Sequence, residues 1–281
     1  MKVDYEIFST IGRVRKANQD NYYVDGYTKP IQDNESQMSG SSESDIHMFA
    51  VCDGMGGMSS GEIASQIAVQ ILRNHCSKKT EFDWEDYIEE VNIEICKYQS
   101  KHHIHMGTTL AGLSVNSSEV ISVNIGDSRV YQIRRGKIRQ LSKDHNEYQI
   151  MVNSGIQFDE SIMRMAKCHL TQFLGLEREK FNLEPHIVVE KCIPGDIYIL
   201  CSDGLYNVLS DEQMLNIICK ESKARYICKK LVKKAEEEGS MDNITAMLVY
   251  IEKCKKYNQY IEKFKIIIRE IIFYLRKNHM K

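Results

Sequence analysis

No stretch of this 281-residue chain stays apolar and uncharged long enough to cross a bilayer. The opening Met1-Lys2-Val3-Asp4-Tyr5-Glu6 also lacks the apolar centre of a signal peptide. Both absences point to a cytoplasmic protein. Net charge is nearly absent: 37 Lys and Arg against 39 Asp and Glu leave −2, which gives no general electrostatic pull towards nucleic acid or an anionic membrane. Outside the basic last thirty residues there is no basic patch interleaved with stacking aromatics, so a nuclease is disfavoured. The nine cysteines form no CxxC pair and no zinc-ligand spacing. Most lie inside apolar or helical stretches (Cys52, Cys96, Cys192, Cys201, Cys219), as expected of buried thiols in a reducing compartment. Few segments follow strand-helix-strand order, which argues against a doubly wound parallel sheet.

What the chain does contain is a repeated arrangement of acids at the ends of apolar runs. Met48-Phe49-Ala50-Val51-Cys52 is long enough for a buried strand and stops on Asp53, followed by the glycine-rich Gly54-Met55-Gly56-Gly57. The pattern recurs where Val120–Ile125 runs into Gly126-Asp127 and where Ile197–Cys201 runs into Ser202-Asp203-Gly204. Asp20 and Asp242 each precede a further strand-like run. A single Asp-Gly after a strand is usually only a turn. Five carboxylates converging from the strand ends of two packed sheets would repel one another unless cations were bound. Hard oxygen ligands suit Mg²⁺ or Mn²⁺, and a pair of such ions is the usual apparatus for displacement at phosphorus.

The ordered set Arg15-Lys16-Ala17-Asn18-Gln19-Asp20, Asp53-Gly54-Met55-Gly56-Gly57, Gly107-Thr108-Thr109, Gly126-Asp127-Ser128-Arg129, Ser202-Asp203-Gly204 and Asp242-Asn243-Ile244-Thr245 resembles the metal-dependent protein phosphatase 2C family, in its bacterial branch. The similarity runs from about Tyr5 to Ile251. It implies an α+β fold, a four-layer α-β-β-α sandwich of two antiparallel sheets flanked by helix pairs. The implied activity is that of a protein-serine/threonine phosphatase, a phosphoric monoester hydrolase that uses a metal-bridging hydroxide to cleave phosphoserine and phosphothreonine.

By the same resemblance Asp53 bridges two Mn²⁺ or Mg²⁺ ions, the Gly54 carbonyl joins it, and Asp203 and Asp242 complete the set. Asp20 acts through bound water, and Asp127 with Asp203 holds a third, weaker ion. Arg15 holds the substrate phosphate, its planar fork matching two phosphate oxygens; its spacing to Asn18 and Asp20 favours it over Arg13. The expected partners are phosphorylated proteins, namely a serine/threonine kinase and its substrates, with no nucleic acid and a monomeric state. The alternative is a catalytically weak or dead phosphopeptide-binding relative. Three positions depart from family patterns. Gln19 stands where Glu is frequent, and Met55 and Met58 stand where branches of the family carry a histidine that protonates the leaving group. A methionine cannot transfer a proton.

Residues 1–251 are thus expected to form the catalytic domain. Within it Thr28 to Asp45 is polar, acidic and serine-rich, and reads as a flexible loop without a core face. Helices are expected from Ser59 or Ser60 to about His75, from Asp83 to about Lys101, from Lys143-Asp144-His145 to about Asn153 with Asp144 as cap, from Asp211 to Lys220, and from about Ala224 to Glu238. His102-His103-Ile104-His105 lacks a neighbouring acid or cysteine cluster and reads as a solvated linker. Gly155 to Leu176 corresponds to the family's variable flap beside the active site, where substrate selection is expected. In residues 252–281, Ile261, Phe264, Ile268, Ile271, Ile272 and Leu275 recur at helical spacing among Lys263, Lys265, Arg269, Arg276 and Lys277. This predicts a basic amphipathic helix, suited to packing on the domain's own surface, to a partner or to peripheral contact with an anionic membrane.

Overall fold

The computed structural model describes residues 1–56, 60–77, 82–156, 158–177, 182–220 and 226–254. Met58 and the tail from 255 onward lie outside them.

The first sheet contains β1 (Lys2–Thr10), β4 (Glu35–Glu43), β9 (Arg129–Arg134), β10 (Lys137–Gln140), β12 (Ile197–Cys201) and β13 (Ile244–Lys253), in the order β10-β9-β12-β13-β1-β4. The second contains β2 (Asp20–Val24), β3 (Tyr27–Thr28), β5 (Ile46–Gly56), β7 (Leu110–Asn116), β8 (Glu119–Ile125) and β11 (His186–Lys191), in the order β11-β8-β7-β5-β2-β3, with β6 (Met106–Thr108) paired to β5. Every pairing is antiparallel. Between the sheets lies a core of Ile7, Tyr22, Phe49, Val51, Leu113, Val130, Leu200, Met247 and Val249.

On the outer face of the second sheet pack α1 (Ser60–Ser77) and α2 (Trp84–His102), burying Ala64, Ala68, Leu72, Tyr87, Val91 and Ile95. On the other side α6 (Asp211–Lys220) and α7 (Ile227–Glu237), with the short α5 (Asp203–Tyr206), cover the first sheet through Met214, Ile218, Leu231 and Val232. Each sheet is therefore buried on both faces, which explains the nearly continuous apolar runs of β5 and β13. The expected α-β-β-α sandwich is what forms. No helix among the described residues is long and apolar enough to cross a membrane.

Local chemistry sets the helix ends. Asp83 caps α2, its Oδ1 accepting from the N–H groups of Glu85 (2.7 Å) and Asp86 (3.1 Å), and His103 closes the helix in the left-handed region at φ 54°. The three histidines of the expected solvated linker are exposed, as anticipated.

Three local expectations are corrected. The polar 28–45 segment is not a free loop: Glu35–Glu43 forms an edge strand in full register with β1, and Met38 packs against the inter-sheet core. Lys29, also in that segment, is buried, with Nζ donating to the carbonyls of Asn18 (3.3 Å) and Asp33 (3.0 Å). Its residues could be missed because a strand whose inward positions are Ser36, Met38, Gly40 and Ser42 carries almost no apolar alternation. Asp144 does not cap α3 (Glu147–Ser154); Asn146 does, accepting from Gln149 N–H at 3.0 Å, while Asp144 forms a close ion pair with Arg129 at 2.6 Å. Cys219, expected among the buried thiols, is exposed on α6.

Candidate active site

The two sheets bring the strand-end acids to one edge of the sandwich. Asp20, the first residue of β2, lies opposite Asp53 of β5 in the strand register. β5 does not stop at Asp53 as its sequence suggests; it continues to Gly56, exchanging β7 for β6 as its partner. This continuation requires glycine, because a Cβ on Gly54 would overlap the carbonyl of Gly61 at the start of α1. Asp127 follows β8, Asp203 opens α5 directly after β12, and Asp242 lies just ahead of β13.

A cleft of about 660 Å³ is lined by Arg15, Gln19, Asp53, Gly54, Met55, Thr109, Asp127, His169, Phe173, Asp203, Asp242 and Asn243, among others. Asp20 lies behind it, fully buried. A more apolar groove of about 500 Å³ between α1 and α2, lined by Ile63, Ile67, Ile71 and Tyr98, contains none of the five aspartates.

The electrostatics of the cleft are those of a cation site. Burial, followed by repulsion from Asp20, Asp203, Asp242 and Asp127, pushes the Asp53 carboxyl well above the ordinary range. Asp203 is raised in the same way, by burial and then by Asp127 and Asp242. Both keep partial access to solvent through the cleft, yet dense protein surrounds their carboxylates. Burial lifts Asp20 to about 6, although Thr245 Oγ1 (2.6 Å) and Ser202 Oγ (2.7 Å) both donate to its Oδ2. Asp127 also reaches about 6, through burial and then Asp144. Oδ1 of Asp20 and Oδ1 of Asp203 are buried without a hydrogen-bond partner. Orphaned, mutually repelling carboxylate oxygens are costly in a protein interior, and a hard divalent cation satisfies them.

Among the described residues no three His, Cys, Asp or Glu side chains already stand in a closed ligating arrangement. Asp242 is instead turned onto Arg15, whose Nη2 donates to its Oδ2 at 2.6 Å and whose pKa that bond raises. The donor chemistry fits divalent ions.

All the acids singled out in the sequence are thus collected at one place, together with Arg15 and Gly54. Several supporting residues escaped notice in that role although they lie within or beside the motifs. Thr109 Oγ1 accepts the Asp53 N–H at 3.0 Å and is bonded to Ser128 Oγ at 2.6 Å. Asn243 accepts the Gln19 N–H and donates to the carbonyls of Ile11 and Ala17, which holds the Arg15-bearing loop against β13. Tyr206 donates to the Asp127 carbonyl at 2.9 Å and lies under the Arg129 guanidinium, 3.6 Å from its ring centre. Cys168, His169, Leu170 and Phe173 reach the cleft from the flap without any local signal.

The protein phosphatase 2C family model matches residues 28–249. The chain belongs to the protein phosphatase 2C family. Within it, the chain is 31% identical over 249 residues to the serine/threonine phosphatase stp of Listeria monocytogenes, covering 85% of this chain and 92% of that one. It is 29% identical over 259 residues to the protein phosphatase PhpP of Streptococcus pneumoniae, covering 88% and 97%. Among solved structures, the Mycobacterium tuberculosis serine/threonine phosphatase PstP/Ppp superposes with a TM-score of 0.74 at 26% identity, covering 90% of this chain and all of that one. The catalytic domain of the serine/threonine protein phosphatase PstP in complex with two manganese ions gives 0.71 at 26% identity, with the same coverage. The α+β phosphatase 2C sandwich is therefore the fold of this chain by sequence and by shape.

Proposed function

We propose that this chain is a metal-dependent phosphoprotein phosphatase that hydrolyses phosphoserine and phosphothreonine. The observation that carries this is the convergence of Asp53, Asp127, Asp203 and Asp242 on one cleft that also contains Arg15, with Asp20 buried behind Asp53. The two-manganese structure of a family member supports two ions here, Mn²⁺ or Mg²⁺.

Asp53, the Gly54 carbonyl, Asp203 and Asp242 would hold that pair, with Asp20 acting behind them and Asp127 offering a weaker third position. When bound, such ions increase the acidity of water and take up charge on phosphoryl oxygens. The remaining work falls to the protein. Arg15, released from Asp242, receives the phosphate dianion through two parallel N–H donors. Thr109 fixes the backbone of Asp53, and Asn243 fixes the loop that carries Arg15. The hydroxyls of Ser202 and Thr245 hold Asp20 in a single orientation. Retention of all five carboxylates disfavours the dead phosphopeptide-binding alternative.

In the finer form of the proposal, residues 1–251 are the catalytic unit of a cytoplasmic monomer that opposes a serine/threonine kinase, and residues 252–281 are an amphipathic element for packing on the domain's own surface, for a partner or for peripheral membrane contact. Turnover of phosphoserine and phosphothreonine peptides with Mn²⁺, and its loss on chelation, is the central test. Peptide binding without turnover in the presence of Mn²⁺ would instead establish the dead relative.

A further inference from the structure

We propose that His169 is the general acid, donating its proton to the departing serine or threonine oxygen; the proposal rests on the phosphomonoester reading above. An alkoxide is a poor leaving group unless it is protonated as the bond breaks. Met55, which lines the cleft, has only a thioether to offer.

The other polar groups lining the cleft are not free to supply that proton, and the amides of Gln19 and Asn243 are not acids. Thr109 Oγ1 is engaged by the Asp53 N–H and by Ser128. Arg15 holds its protons too firmly, its pKa being raised by Asp242. The Cys168 thiol is turned back onto the Arg164 carbonyl at 3.8 Å. The aspartates are the cation-binding groups. His169 lines the same cleft with an imidazole that remains solvent-accessible.

Its position is built rather than incidental. Although α4 (Glu160–Lys167) just before it is an exposed surface helix, the segment that follows is stitched to the body of the protein. Glu147 N–H donates to the His169 carbonyl at 3.0 Å, and Thr171 N–H donates to the His145 carbonyl at 2.8 Å. An antiparallel bridge joins Asn146 to Leu170 between them. Further along, Thr108 and Leu174 exchange backbone hydrogen bonds at 3.0 and 2.9 Å. The side chain is also oriented: His169 Nδ1 lies 3.2 Å from Glu147 Oε2. With Nδ1–H directed at that carboxylate, Nε2 is the nitrogen left for chemistry. Orientation of a histidine by a carboxylate on its other nitrogen is a general device for fixing which nitrogen acts.

The step balances without a co-reactant. Water oxygen bonds to phosphorus, the ester P–O bond breaks, and its electron pair stays on the serine or threonine Oγ, which takes the Nε2 proton. The imidazole is reprotonated from solvent, which also receives the proton released by the attacking water. Alcohol and phosphate are the products. Glu147 is a positioning residue in this scheme, acting through His169.

The test compares two leaving groups on the full-length, manganese-loaded enzyme. Position 169 is exposed, so His169→Gln should fold normally, and a circular dichroism melt checks this. The expected result is a loss of roughly 100-fold in kcat on a phosphoserine peptide, within the usual general-acid range, and a loss on the order of 3-fold on p-nitrophenyl phosphate, whose departing oxide needs little protonation. Glu147→Ala should show a smaller loss with the same substrate bias, and Glu147→Gln, which keeps an acceptor, should recover most of it. Equal losses on both substrates, a change confined to KM, or unchanged peptide turnover would overturn the assignment. Failure of the unmodified enzyme to hydrolyse p-nitrophenyl phosphate with Mn²⁺ would instead overturn the phosphatase reading beneath it.

Discussion

Asp20 and Asp53 face one another across β2 and β5, two acids in direct register in the interior end of a sheet. Like charges placed opposite each other weaken a strand pair, so the sheet is assembled at this point against its own electrostatics. The donors to Asp20 Oδ2 from Ser202 and Thr245 offset part of this, and its Oδ1 has no partner.

A pH dependence follows for the ion-free protein. Asp20 and Asp127 rise from an ordinary 3.8 to about 6, burial being the main cause in both. An acid raised in this way stabilises the fold while it is protonated; the contribution is complete below its unfolded value and is lost as pH climbs through about 6. Chelator-treated protein should therefore melt roughly 5 °C lower at pH 7.5 than at pH 5, and Mn²⁺ should remove most of that drop at pH 7.5. Asp20→Asn should flatten the slope. A melting temperature that stays level from pH 5 to 7.5 after chelation would contradict the assignment of raised carboxyls.

Asp242 is bonded to Arg15 through Oδ2, so an ion held by the same carboxylate would compete with the guanidinium for it. Asp242→Asn should abolish nearly all peptide turnover while the circular dichroism spectrum and melt stay close to those of the parent; full activity would remove Asp242 from the ion site. Arg15→Ala should lower kcat/KM by roughly 10- to 1,000-fold through loss of the phosphate fork. The same change should tighten Mn²⁺ binding measured by calorimetry, because the competing guanidinium is gone. Arg13→Ala should do far less to either quantity, and equal effects at both arginines would dissolve the distinction.

At the entry to α1 the backbones of Gly54 and Gly61 pack directly on each other. A Cβ on Gly61 would come within 2.6 Å of the Gly54 carbonyl oxygen, and backbone there cannot move aside without displacing Asp53. Gly61→Ala should cost about 1 to 3 kcal/mol in urea unfolding and depress turnover more than stability alone explains. Neutral behaviour in both assays would show that the contact relaxes freely.

The edge strand β4 offers a test remote from the cleft. Gly40 lies beneath Tyr5, where a Cβ would meet the Tyr5 Oη at 2.6 Å and Cζ at 2.8 Å. Gly40→Val should destabilise the domain by about 1 to 3 kcal/mol, through overpacking, with kcat unaffected. A solvated linker would tolerate the change without cost.

What could be read without the structure was whatever the chain encodes locally. Apolar runs ending on Asp53, Asp127 and Asp203, a second helix opening at Asp83 and the helical spacing along α1 each depend on neighbours a few residues away, so the layered α+β architecture and every acid of the cleft were legible. Tertiary structure decided what depends on partners distant in the chain. The β4 strand owes its existence to register with β1, since its own residues offer one inward apolar side chain, Met38. Asp144, in the connection between β10 and α3, pairs with Arg129 at the start of β9 and caps no helix. The Arg15–Asp242 pair joins residues 227 positions apart, and the segment that carries His169 to the cleft is held by the Asn146–Leu170 bridge and the backbone bonds of Thr108 with Leu174. Such contacts gain their energy from burial and charge in the folded environment, which no local periodicity records.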